Sequence, residues 1–144
     1  GQTGAVPDGI RGHGETHAYP LGISVGPRHV LLTSWFSNTV EKVDRKTGKL
    51  VVSLSDFAAP ADALETADGT LYVAEIASSN LVKVSADGKQ RSIVAKELRG
   101  PVALARGKDD LLYVTEIAAG AVAEINVATG ARRVVVVRGA VFLS

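Results

Sequence analysis

At 144 residues, with 46% apolar and 22% charged residues, the chain has the size and apolar content of a folded domain with a buried core. Sixteen Lys and Arg against fifteen Asp and Glu leave a formal charge of +1 with no basic run, which argues against nucleic acid or an anionic membrane as partner. Cysteine is absent, excluding disulfides, thiolate metal sites and cysteine nucleophiles; a secreted or periplasmic location is compatible with that, as are others.

The first nineteen residues read as a Gly-rich lead-in loop that carries His13, Glu15 and His17 in RGHGETHAYP. The two histidines are four apart, but HGETH is not the HExxH metalloprotease pattern and no helix is predicted to bring them onto one face. Solvated loop histidines are the ordinary reading; the functional one places His17 at a channel mouth as a base or ligand.

From Pro20 onward the chain repeats itself. Pro20, Pro60 and Pro101 stand 40 and 41 residues apart, and the turn glycines Gly48, Gly88 and Gly130 follow 40 and 42 apart. Each copy divides into four strand-like runs. A short run follows the proline (LGISV, ADALE, VALAR), and a turn leads to a second run rich in β-formers (VLLTSW, LYVAEI, LYVTEI). The third run is TVEKVD, LVKVS or VAEIN, and a Gly turn joins it to the fourth, LVVSL, QRSIVA or RRVVVV. The second runs are apolar at nearly every residue, which predicts strands covered on both faces. The longest apolar stretches, such as Val134 to Val137, are far short of the roughly 20 residues of a membrane helix, so no membrane span is predicted.

Four neighbouring strands joined by short turns and repeated at this period predict an all-β chain of β-propeller blades, each a four-stranded antiparallel meander. The predicted blades cover 20–59, 60–100 and 101–139, and 140–144 (Ala140 to Ser144) reads as the first strand of a further blade. Three repeats make an incomplete ring, because propellers have about 4 to 8 blades. Two completions stay open. In one the chain is part of a longer protein, as its Gly1 start and lack of Met suggest; in the other a homodimer of three blades each makes six.

The runs LYVAEIASSNLVKVSADGK and LYVTEIAAGAVAEINVATGA resemble the NHL-type repeat and the related senescence-marker-protein/gluconolactonase-like propellers. Pro20, Gly22, Ile23 and Val25 match the first half of that pattern, and Tyr72, Val73, Ala74, Asn80, Val82, Lys83 and Val84 the second. Glu75 and Glu116 stand where the pattern has Asp, Trp35 replaces the acid in the first copy, and Asp62 and Ala103 replace a glycine. The resemblance implies a propeller fold and a range of roles, from lactonase or lyase to sugar or peptide binding.

Trp35, Glu75 and Glu116 each lie 15 residues after their blade's proline, so they are expected on one channel face. Glu75 and Glu116 there offer ligands for a divalent cation such as Ca²⁺, or an acid/base pair; the plainer reading has each acid satisfying turn amides of its own blade. Trp35, with Phe36 beside it, offers a stacking wall for a sugar or apolar ligand, or else packs between blades. His29, in the turn GPRH, is expected on the opposite face in solvent. The leading functional expectation is a binding scaffold that takes a small molecule or protein at its channel face. The alternative, by resemblance, is part of a metal-dependent hydrolase or lyase, and a third reading is a structural repeat with no site.

Overall fold

The computed structural model describes residues 20–137. They form twelve strands in three antiparallel sheets, each a meander in chain order. The first sheet holds β1 (Gly22–Val25), β2 (His29–Ser34), β3 (Thr39–Asp44) and β4 (Leu50–Leu54). The second holds β5 (Pro60–Glu65), β6 (Leu71–Glu75), β7 (Asn80–Val84) and β8 (Arg91–Ala95), and the third β9 (Pro101–Arg106), β10 (Leu111–Glu116), β11 (Ala121–Asn126) and β12 (Arg132–Val137). The hairpins between third and fourth strands close as their glycines require. Gly48 and Gly130 take φ of 71° and 79°, which a β-carbon would disfavour, while the Asp44 and Asn126 side chains accept the turn amides.

The sheets stack face to face. Leu31, Val40 and Phe57 meet Ala63, Leu71, Val73, Val82 and Val84 between the first and second sheets. Leu64, Tyr72, Leu81, Ala95 and Leu98 meet Leu112, Val114 and Ile125 between the second and third. Every residue of β6 is buried, as its unbroken apolar run predicts for a strand covered on both sides. β10 alternates instead: Leu112, Val114 and Glu116 are buried, whereas Thr115 is exposed.

Hydrogen bonds also cross between the inner strands. The Ser24 hydroxyl donates to the Ala63 carbonyl at 2.6 Å and the Thr33 hydroxyl to the Ala61 carbonyl at 3.1 Å. Between the second and third sheets the Leu104 amide donates to Asp62 Oδ2 at 2.9 Å. This approach explains one departure from the glycine pattern. A β-carbon at Gly22 would meet the Ala61 carbonyl and Thr33 Oγ1, whereas Asp62, at the matching place, spends its side chain on the next sheet.

Candidate functional site

One end of the stacked sheets carries the turns 35–38, 76–79 and 117–120 together with the inter-sheet loops 55–59 and 96–100. Backbone hydrogen bonds tie these together: Phe57 N to Asn38 O, Ile76 N to Ala59 O, Leu98 N to Ser79 O and Ile117 N to Gly100 O, all between 2.9 and 3.2 Å. Trp35, Glu75 and Glu116 all lie at this end.

Glu75 and Glu116 act on the loops. Glu75 Oε2 accepts the Ala58 amide at 2.8 Å and Oε1 accepts the Ser78 hydroxyl at 2.7 Å, while Glu116 Oε2 accepts the Arg99 amide at 2.7 Å. Ala58 and Arg99 each lie two residues before their blade's proline, so each glutamate fastens the loop that delivers the chain into its own sheet. Both carboxylates are buried. Among the described residues no group of three or more His, Asp or Glu is arranged to hold a metal ion. A hard cation asks for six or more oxygens; both Glu75 oxygens and one of Glu116 already serve the fold, so these two residues alone do not assemble such a shell among the described residues.

The register corrects the expected equivalence of Trp35 with the two acids. Glu75 pairs with Asn80 and Glu116 with Ala121 at the mouths of their turns, and in the first sheet that place belongs to Ser34, paired with Thr39. Trp35 therefore matches Ile76 and Ile117. The cause is the preceding turn. Four residues separate the paired Val25 and Val30, but five separate Glu65 from Leu71 and Arg106 from Leu112, so counting from the proline slips by one in the first copy. Trp35 is 42% exposed and Phe36 69%, with ring centroids 6.1 Å apart and planes at 89°, an edge-to-face pair turned outward. Exposed Ile117 repeats the apolar position two sheets away. His13, Glu15 and His17 lie outside the described residues, as do Ala140 to Ser144.

The opposite end holds a cluster that the sequence reading missed. Glu65, its side chain 2% exposed, receives the Lys42 ammonium at 2.8 Å on one oxygen and His29 Nδ1 at 2.9 Å on the other. His29 is thus at the expected end but not solvated: its side chain is 16% exposed and joined to the second sheet. Burial alone would raise the Glu65 carboxyl; hydrogen bonds and charge from Lys42 and His29 outweigh it and hold the group below its ordinary value. The available signal was strand parity, because Lys42 shares a face with buried Val40, and Glu65 with buried Ala63.

No family model matches this sequence, and no curated protein matches it. Solved structures do. Virginiamycin B lyase from Staphylococcus aureus superposes with a TM-score of 0.66 at 20% identity over 81% of this chain and 40% of its own. Nidogen, solved in complex with laminin, gives 0.72 at 15% identity over 83% of this chain and 48% of its own. Hydrazine synthase from Kuenenia stuttgartiensis gives 0.69 at 20% identity over 80% and 34%. The chain thus spans less than half the length of each, and at these identities the likeness concerns fold alone. The lyase and nidogen are β-propeller proteins, and with them the three meanders have their interpretation: the described chain is a run of three β-propeller blades.

Proposed function

We propose that this propeller segment is a binding scaffold whose ligand surface lies at the end where the inter-blade loops and the second-to-third-strand turns gather. The observation that carries the reading is the outward edge-to-face pair of Trp35 and Phe36 on a base of pinned loops. Exposed aromatics on a rigid scaffold lose little entropy on binding, and their flat faces suit a sugar ring or an apolar side chain. Glu75 and Glu116 serve this surface indirectly, by fixing the loops around it. Among propellers, the residues from Pro20 to Val25 and Tyr72 to Val84 favour an NHL-type blade.

The working unit is larger than three blades, completed by the remainder of a longer chain or by a second copy. Thr115 supports this. Its hydroxyl accepts the Ala103 amide at 3.0 Å, as the Thr33 hydroxyl accepts the Gly22 amide at 2.9 Å, and Thr33 also donates to the next blade's carbonyl while Thr115 faces outward.

Equilibrium dialysis with p-nitrophenyl glucoside and N-acetylphenylalanine amide as probes tests the surface. Binding of either probe that weakens at least tenfold in Trp35→Ala is the expected result. Affinity unchanged by that substitution, or no binding of either probe, would count against a site there.

A further inference from the structure

At the end opposite the aromatic pair, a cleft opens between each two successive sheets, and several equivalent positions line both. Lys42 pairs across the strands with Leu31, and Lys83 with Tyr72; Glu65 and Arg106 each close a first strand five residues after its proline. In the first cleft, of about 290 Å³, the Glu65 carboxylate sits against Lys42 and His29. In the second, of about 340 Å³, the place of Glu65 is taken by Arg106, which shares the cleft with Lys83. Two exposed cations stand where the first cleft buries an ion pair. Among the described residues neither cation has an ion-pair or side-chain hydrogen-bond partner.

The rest of the lining narrows what fits. Tyr72 places its phenol in the cleft, and burial first, then the charges of Asp68 and Asp110, raise its pKa, so it stays a donor. Asp68 is occupied by the Thr66 hydroxyl and the Thr70 amide. Asp109 and Asp110 are exposed on the rim, where they accept hydrogen bonds and repel a dense anion. A guanidinium fork beside an ammonium matches a carboxylate, and acceptors on the rim match donors attached behind it.

We propose that the second cleft binds a small carboxylate bearing hydroxyl or ammonium donors on its neighbouring carbon, its carboxylate lying between Lys83 and Arg106 as the Glu65 carboxylate lies beside Lys42. This site is separate from the aromatic surface and does not depend on it.

Titrations of the 144-residue protein followed by amide NMR test the assignment, with D-gluconate, glycine, D-glucose and inorganic phosphate as probes. Gluconate, glycine or both give saturable shifts at residues 66–70 and 106–112, and which of them binds separates a hydroxy-acid from an amino-acid ligand. Glucose and phosphate bind at least tenfold more weakly. Arg106→Glu recreates the Lys–Glu pair of the first cleft; it lowers affinity at least tenfold and leaves the melting temperature at or above that of the parent. Arg106→Gln gives the same loss of binding if the glutamate variant does not fold. Absence of shifts with both carboxylates, equal binding of phosphate or glucose, or an affinity unchanged in Arg106→Gln each overturns the proposal.

Discussion

Replacing Glu65 by Gln keeps the shape of the side chain and removes the charge that Lys42 and His29 share. The Lys42 side chain is 7% exposed, and its remaining partner is the Gly69 carbonyl at 3.3 Å, so the variant strands an ammonium in the interface between two blades. Removing one member of a buried pair costs about 3 to 5 kcal/mol. Because the cleft beside Lys42 admits water, the lower end applies, about 3 kcal/mol, or roughly 10 °C in Tm for a chain of this size. The sign with pH follows from the depressed carboxyl. Its contribution is present above the unfolded value of about 4.5 and is lost as pH falls through the lower folded value. Thermal melts by circular dichroism between pH 3 and 8 should therefore show a wide gap between parent and variant at pH 7 that narrows below pH 4.5. A gap under about 0.5 kcal/mol at pH 7, or one that does not narrow in acid, would refute the argument. Replacing both partners, as Lys42→Met with Glu65→Leu, should restore most of the loss, since an apolar pair carries no desolvation cost.

Glu75→Ala removes the acceptor of the Ala58 amide and the Ser78 hydroxyl; chemical denaturation should show a loss of about 1 to 3 kcal/mol, with faster hydrogen exchange at Ala58. Gly22→Ala drives a β-carbon toward the Ala61 carbonyl and Thr33 Oγ1, and about 1 to 3 kcal/mol should be lost in the same assay. Burial pushes the Glu41 carboxyl up to about 7, so its charged form is disfavoured in the fold and parental stability falls as pH rises from about 4.5 through 7. Glu41→Gln should flatten that dependence and melt higher than the parent at pH 8; an unchanged pH slope would contradict the burial argument.

The blades were legible because their signals are local. A proline at or just before the start of each first strand, a left-handed glycine at each last hairpin and β-branched runs between them mark three meanders without reference to anything distant. The slip at Trp35 shows where such counting ends. One residue fewer in the turn after β1 moves Ser34 into the acid's place, and spacing from Pro20 carries no trace of a shortened turn. Glu65, Lys42 and His29 were illegible for a different reason. Parity turns each side chain inward, but the partners sit in different sheets, 23 and 36 residues apart, and only the stacking brings them together. Glu75 and Glu116 could be read as acceptors of turn amides in their own blades or as cation ligands; the backbone amides they accept, Ala58 and Arg99, lie instead in the loops that enter each sheet, a pairing that spacing alone does not reveal.

Trp35 is the chain's only tryptophan, so its fluorescence reports on the proposed binding surface alone. Titrating the intact chain with N-acetylphenylalanine amide, which absorbs neither at the indole excitation wavelength nor across its emission, should change the intensity or wavelength of that emission saturably, with the same midpoint as equilibrium dialysis. An emission that stays constant while dialysis shows binding would place the ligand elsewhere and contradict the scaffold reading built on this end of the blades.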